Sequence, residues 1–385
     1  MKKVLSLLLV LTMAFSLVAC GNKSTTSTTT NTTATTTTNN TAATTTTTNT
    51  AATTNTTAAA ATSTDYTKLK VGVLIRTFSD TYTTTVRTAL EKYLKGYNIS
   101  DYEIMDANES QATQNEQLQT FLSKGVNVII CQLATATAFK DIETACDDAN
   151  TPVVFFNGPP SDLTVVAADD LAAFVGTNTA EAGYMQADLF MQYWDNNAGG
   201  TGKSTYDRNG DGKCQYVIFE GTTDSQEALD RTKYCVDGAT DKGYKMEALA
   251  DPYLCEWDSN KAQEAMSGFL GTNQDKIECV FCNNDSMAEG VVNALNAVGY
   301  NTGKSGDTQI LVFGIDATDA GVQLIKDGKL TATVKQDGDG MGKCAVELAV
   351  RMASGMKKMD AITDAGYTVD DTSSVRIPYQ KYTGE

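Results

Sequence analysis

The chain has 385 residues, 41% of them hydrophobic, a formal net charge of −17 and no histidine. That charge would repel nucleic-acid phosphates, which argues against such a partner. The missing histidine removes Ser-His-Asp and Cys-His catalysis and every histidine metal site.

The N-terminus begins Met1-Lys2-Lys3 and runs apolar from Val4 to Val18, a charged region followed by a stretch too short for a comfortable membrane span. The run closes on Leu17-Val18-Ala19-Cys20-Gly21, which resembles a bacterial lipobox. The resemblance implies a signal peptide over residues 1–19 and a lipid on Cys20. That lipid would be the only membrane attachment, placing the protein on the outer face of the cytoplasmic membrane. Residues 20–64 are almost wholly Thr, Asn, Ala and Ser, with nothing to bury, and read as a disordered tether. A flexible chain of about 40 residues has an r.m.s. span of about 35 Å.

From residue 65 the pattern changes to regular alternation of strand and helix signals. Val71 to Ile75 is a β-rich apolar run, and Val86, Leu90, Tyr93 and Leu94 share one face of the helix that follows. Leu118, Phe121 and Leu122 mark a second helix, stopped at Gly125. Strands are expected over Val126 to Cys131, Pro152 to Phe156 and Ala172 to Val175. The alternation resumes with a helix from Ala180 to Tyr193, a polar loop from Asn196 to Lys213 and a strand over Tyr216 to Phe219. Strands at Met246 to Ala250, Ile277 to Phe281, Ile310 to Ile315 and Thr331 to Val334 alternate with helices. Val375 to Tyr379 reads as a last strand. Apolar runs of this kind suit parallel sheets covered on both faces. About ten βα repeats exceed one ordinary open sheet, so two doubly wound α/β lobes are expected, with an eight-fold barrel as the other architecture. Of the 9 cysteines, Cys131, Cys279 and Cys282 sit in buried-strand runs and read as reduced core residues. A bridge among Cys214, Cys235 and Cys255 is the alternative.

In open parallel sheets ligands bind beyond the carboxyl ends of the strands. The polar residues expected there are Asp80, Tyr82, Gln132, Glu227, Arg231, Trp257, Asn284, Asp316 and Gln336. Carboxylates, amides and a guanidinium suit directional hydrogen bonds to hydroxyls, and aromatic rings can cover the apolar faces of a pyranose. Taken singly, each has a plainer reading as helix cap, surface charge or core residue. The carboxylates Asp80, Glu227 and Asp316 also leave a secreted glycosidase open. An adhesive lipoprotein without saturable sugar binding is a third class.

Several motifs, in order, resemble the bacterial galactose/glucose-binding proteins, periplasmic-type solute-binding components of sugar ABC transporters. They include Asp80-Thr81-Tyr82, Pro152-Val153-Val154-Phe155-Phe156-Asn157, Asn283-Asn284-Asp285-Ser286-Met287-Ala288, Val312-Phe313-Gly314-Ile315-Asp316 and Val375-Arg376-Ile377-Pro378-Tyr379. The resemblance implies the type I fold, two Rossmann-like lobes joined by a three-crossing hinge. The N-terminal lobe would be residues 65–177 plus 337–372 and the C-terminal lobe 178–336 plus 373–385. It also implies a monomer that closes over a monosaccharide, glucose or galactose, and delivers it to an ABC permease, with a chemoreceptor or sensor kinase as a further partner. Asp80, Tyr82, Arg231, Trp257, Asn284 and Asp316 match the family's sugar contacts. Gln132 and Gln336 stand where the family has Asn, Glu227 where it has Asp, and Ser225 where it has His.

Asp207-Arg208-Asn209-Gly210-Asp211-Gly212-Lys213-Cys214-Gln215 reads as an EF-hand-like loop. Oxygen side chains at positions 1, 3 and 5, a glycine at 6 and the Lys213 carbonyl at 7 suit Ca²⁺. Position 12 would be Ile218, which cannot ligate. The family resemblance supplies the side chain of Gln215 and a distant glutamate, Glu278, for a structural rather than catalytic ion.

Overall fold

A computed structural model describes residues 65–195 and 204–384. Cys20, the expected signal peptide and the expected tether lie outside the described residues. In chain order the first half comprises β1 (Lys70–Ile75), α1 (Thr81–Gly96), β2 (Asp101–Asp106), α2 (Gln111–Ser123), β3 (Val128–Cys131), α3 (Phe139–Asp148), β4 (Val153–Phe156), α4 (Leu163–Ala168) and β5 (Ala172–Gly176). Next come α5 (Thr179–Trp194), β6 (Cys214–Glu220), α6 (Gln226–Thr240), β7 (Met246–Ala248), β8 (Tyr253–Leu254), α7 (Ser259–Asn273), β9 (Cys279–Cys282), α8 (Asp285–Ala297), β10 (Leu311–Asp316), α9 (Asp319–Lys326) and β11 (Ala332–Lys335). The chain ends with α10 (Gly338–Ala353), α11 (Lys358–Asp364), β12 (Val375–Arg376) and β13 (Gln380–Tyr382).

These strands form two open sheets, not a closed barrel. The first runs β12-β5-β4-β3-β1-β2 and the second β13-β11-β10-β9-β6-β7, with β8 pairing β6. Every pairing is parallel except that of β13 with β11. Each lobe thus starts with the doubly wound order 2-1-3-4-5.

Both faces of each sheet are covered, which explains why the central strands are apolar at every position. Val128–Cys131 and Val153–Phe156 are buried throughout. In the first lobe, Val73, Ile130, Val154 and Phe156 pack against α1 and α10, and Leu74, Ile129, Phe155 and Phe174 against α2 and α3. In the second, Val217, Val280 and Val312 meet α7 and α8, while Ile218, Phe281 and Phe313 meet α5 and α6. Full burial of one such side chain contributes about 1.5–3 kcal/mol. The eight cysteines from Cys131 to Cys344 are buried free thiols, so no bridge joins Cys214, Cys235 and Cys255. Among the described residues no helix is long and apolar enough to cross a membrane.

The chain crosses between lobes three times: after β5, after β11, and between β12 and β13. The last crossing differs from the sequence expectation. Val375–Arg376 pairs in parallel with Val175–Gly176 of the first sheet, while Gln380–Tyr382 runs antiparallel to β11 in the second. Pro378 splits the expected single strand, because a proline has no N–H to give a ladder. Residues 373–376 therefore belong to the N-terminal lobe, and the C-terminal lobe regains the chain only beyond them.

Candidate functional site: an interlobe cleft

Opposed sheets bring the carboxyl ends of their strands to one cleft. All ten residues expected at a ligand site line a single cavity there: Asp80, Tyr82, Gln132, Ser225, Glu227, Arg231, Trp257, Asn284, Asp316 and Gln336. Its volume is about 240 Å³, below the roughly 300–1,000 Å³ of drug-sized pockets. Across the mouth, Thr81 Oγ1 of the first lobe lies 2.9 Å from Ser286 Oγ of the second.

The plain and the functional readings of several residues hold together. Asp80, Ser225 and Asn284 are N-caps of α1, α6 and α8, and each also faces the cavity. Asp80 Oδ1 accepts from Thr83 N at 2.6 Å, which leaves Oδ2, 3.9 Å from Arg76 Nη2. Asn284 Oδ1 accepts from Met287 N at 2.9 Å and keeps its amide nitrogen directed at the Trp257 carbonyl, 3.5 Å away. Of the departures from the family pattern, the two glutamines have both ends of their amides tied into the protein. Gln132 Nε2 donates to Thr83 Oγ1 at 3.2 Å and its Oε1 accepts from Arg76 N at 3.3 Å. Gln336 Nε2 donates to Asn157 Oδ1 at 2.9 Å and its Oε1 accepts from Arg231. The longer arms thus reach scaffold groups.

Arg231 is the electrostatic centre. It is 3% exposed, and its Nη1 donates to Asn283 O at 2.8 Å, its Nη2 to Gln336 Oε1 at 2.7 Å and to the Tyr379 hydroxyl at 2.9 Å. Burial works against its charge, but Tyr379, Glu227 and Asp316 outweigh it and hold the guanidinium firmly protonated. Glu227 Oε1 lies 3.8 Å from Nη2. Burial raises the Glu227 carboxyl, with Arg231 and Arg76 opposing. Burial also holds Asp316 well above the usual carboxylate range, with Arg231 opposing. Among the described residues, Arg231 Nε and Glu227 Oε1 are buried without a hydrogen-bond partner. Such atoms are costly unless something else satisfies them.

Backbone strain gathers around the same cavity. Asn157 (φ 70°), Glu256 (φ 51°), Trp257 (φ 66°) and Asp316 (φ 121°) are all non-glycine residues in the left-handed region, where such conformations cost about 1–3 kcal/mol each. The Trp257 ring lies on Gly221, where a Cβ would come within 2.3 Å of ring carbons. Tyr82, 6% exposed, directs its hydroxyl to Met341 Sδ at 3.6 Å.

Behind Asp316 sits Asp285, 1% exposed. Its Oδ2 accepts from Thr318 N at 2.8 Å and its Oδ1 from Thr333 Oγ1 at 2.6 Å. Glycines leave it room, since a Cβ would fall 2.2 Å from Oδ1 at Gly314 and 2.3 Å from Oδ2 at Gly321. Burial outweighs the hydrogen bonds and pushes this carboxyl from 3.8 up to about 7. A folded-state value above the unfolded one means that the stability it contributes is full below about pH 4 and is lost as the pH rises through about 7. Asp285→Asn is expected to flatten the fall in melting temperature between about pH 5 and 8. An unchanged slope in scanning calorimetry would show that Asp285 does not titrate there.

The polar loop before β6 folds inward on its own oxygens. Asp207 accepts from Gly210 N at 2.7 Å and from Gly212 N at 2.9 Å; Asn209 Oδ1 accepts from Asp211 N at 2.8 Å and Asp211 Oδ1 from Lys213 N at 2.9 Å. Glu278 reaches it from the start of β9, accepting from Arg208 N at 2.6 Å and Gln215 N at 3.0 Å. Lys213 points its ammonium away, to Glu247 at 2.8 Å. Elsewhere, Glu143, Asp147 and Asp169 bring carboxylate oxygens within 4.8 Å of one another, close enough to hold a metal ion.

Sequence reasoning did not single out Arg76, Asn157, Thr222, Glu256 and Asn283 as site residues, nor Tyr379. The first four line the cavity; Asn283 and Tyr379 hold Arg231.

Two opposed doubly wound lobes with a polar cleft at their strand ends define a binding protein of the periplasmic type. A periplasmic binding protein domain matches residues 71–357, and the chain belongs to that family. It is 31% identical over 312 residues to the D-galactose/methyl-galactoside binding periplasmic protein MglB of Haemophilus influenzae, covering 80% of this chain and 88% of that protein. An ABC transporter solute binding protein from Bacillus halodurans with bound myo-inositol superposes with a TM-score of 0.65 at 26% identity, over 83% of this chain and 96% of that one. A periplasmic solute binding protein from Actinobacillus succinogenes with bound D-allose superposes at 0.67 with 19% identity, over 82% and 98%, a likeness of fold alone.

Proposed function

We propose that the chain captures a monosaccharide, glucose or galactose, outside the cytoplasm and hands it to an ABC permease on hinge closure. The observation that carries this is one small cavity lined by two aromatic residues, Tyr82 and Trp257, and by Arg231 and Glu227, each of which keeps one buried polar atom, Nε and Oε1, without a partner among the described residues. Sugar hydroxyls would satisfy the polar atoms, and the rings would cover the apolar faces of a pyranose. A few charge-assisted hydrogen bonds and two covered faces suffice for a micromolar complex, about −8 kcal/mol. The test is calorimetric titration with glucose, galactose, xylose, ribose and myo-inositol. Saturable binding of glucose or galactose with little heat from ribose is expected. No saturable binding of any of them would sink the reading, and release of product from an aryl glycoside would favour a glycosidase instead. The cell-envelope attachment would be the lipid on Cys20, with the tether holding the binding module off the membrane.

The loop at residues 207–215 suits a structural Ca²⁺. Asp207, Asn209, Asp211, the Lys213 carbonyl, Gln215 and Glu278 are all oxygen donors of the type this ion prefers. Two features support the fit. Gln215 Oε1 is buried and has no hydrogen-bond partner among the described residues. Glu278 is buried, and its carboxyl is raised by that burial and by the nearby Asp207, a combination a cation would relieve. The bound ion would staple the loop to β9. Chelation with EDTA is expected to lower the melting temperature, by mass action, while leaving sugar binding in place. Identical melting curves with and without EDTA would reduce the loop to a plain turn.

A further inference from the structure

We propose that Tyr379 is a positioning residue that couples the guanidinium of Arg231 to the hinge, so that gripping the ligand and closing the lobes are one event. The proposal rests on the reading of the cleft as a sugar site. Its basis is a hydrogen-bond network that reaches all three interlobe crossings. Arg231 sits on α6 of the second lobe. Its Nη2 donates to Gln336 Oε1 at 2.7 Å, in the crossing after β11, and to the Tyr379 hydroxyl at 2.9 Å, in the last crossing. The same hydroxyl lies 2.9 Å from Thr177 Oγ1, in the crossing after β5. Two further bonds brace the set: Gln336 Nε2 to Asn157 Oδ1 and Arg376 Nη1 to the Thr177 carbonyl, each at 2.9 Å.

These groups are shielded from water. Arg231, Tyr379 and Gln336 are each 3% exposed and Thr177 is 2% exposed. In such a setting hydrogen bonds are directional and costly to leave unmade. Burial raises the Tyr379 phenol to about 12, with Arg231 opposing, so it remains a neutral hydroxyl near pH 7. A neutral hydroxyl can accept from the guanidinium while sharing a bond with Thr177.

Hinge motion is absorbed at a few backbone positions in the crossings. A bond joining two crossings, such as Tyr379 to Thr177, is therefore sensitive to the hinge angle. Arg231 takes its orientation from two crossings at once. The direction of its unpaired Nε–H then depends on how far the lobes are closed. A ligand shifts a conformational equilibrium only through a difference in affinity between the two states, and this network supplies such a difference at one donor.

Two nearly isosteric variants of the full chain test this. Tyr379→Phe removes one oxygen; Thr177→Val removes the link to the first crossing while leaving Tyr379 on Arg231. Affinity for D-glucose and D-galactose is read by calorimetry, and lobe closure by the sugar-induced fall in radius of gyration in X-ray scattering. The wild type is expected to contract on saturation. Tyr379→Phe should bind at least about tenfold more weakly, the scale of one hydrogen bond to a charged group, and contract less at saturating sugar. Thr177→Val should lose contraction with a smaller loss of affinity. Full contraction of both variants would overturn the coupling even if affinity fell, because Tyr379 would then serve Arg231 alone. A wild type that binds neither sugar would sink the sugar reading itself, an outcome distinct from a binding wild type with indifferent variants.

Discussion

Arg231→Met is expected to abolish measurable sugar binding and to destabilise the sugar-free protein by about 3–5 kcal/mol, the usual cost of stripping one partner from a buried charge cluster. Three protein acceptors lose their donor at once: Asn283 O, Gln336 Oε1 and the Tyr379 hydroxyl. Glu227 and Asp316 lose the charge that opposes the rise in their pKa values. The sign of the pH effect follows. With that opposition gone the two carboxyls rise further, so their contribution to stability is retained at low pH and lost as the pH rises through their folded-state values. The variant should therefore sit closer to wild-type stability at about pH 5 than at pH 8. Arg231→Lys keeps the charge without the fork and should recover stability more than affinity. Calorimetric titration and thermal melts at two pH values check this; wild-type affinity in Arg231→Met would remove the guanidinium from the site.

Trp257→Ala is expected to weaken glucose or galactose binding by about ten- to a hundredfold, through loss of an aromatic face and of the area it would bury. The ring is partly exposed and held by the left-handed backbone at Glu256 and Trp257 over Gly221. Because it also packs against the second-lobe core, its removal should cost the sugar-free protein some stability, but less than about 3–5 kcal/mol, the cost for a fully buried tryptophan. A convenient signal separates it from the rest of the molecule. The chain has two tryptophans, and Trp194 lies in the second-lobe core with Phe190 at 5.5 Å. A sugar-dependent change in emission should thus arise at Trp257 and vanish in the alanine variant. Persistence of that change, or unaltered affinity, would place the ligand elsewhere.

Most of the site could be read from the sequence because a doubly wound lobe sends the carboxyl end of every strand to the same edge. Once a strand is recognised, the polar residue at or just beyond its end is a candidate, and Asp316 and Gln336 follow that rule, whereas after β9 the cavity residue is Asn284, one position beyond the adjacent Asn283. The limits have physical causes. The strand Asp101–Asp106 alternates charged and apolar residues at a sheet edge, so it lacks the continuous apolar signal of its buried neighbours. The short helices Leu163–Ala168 and Lys358–Asp364 span too few turns to show a period. Pro378 interrupts what reads as one strand. Tyr379 and Thr177 are separated by about 200 residues and meet only at the hinge, a contact no local spacing encodes. Nor does spacing disclose that the amides of Gln132 and Gln336 are engaged by the scaffold.

The last dozen residues finish both sheets: β12 adds the outer strand beside β5, and β13 does the same beside β11. Without them β5 and β11 become the bare sheet edges and the last crossing of the hinge is missing. Trimming that tail by even ten residues should damage both halves of the molecule, whereas an appendage joined beyond Tyr382 leaves every pairing available.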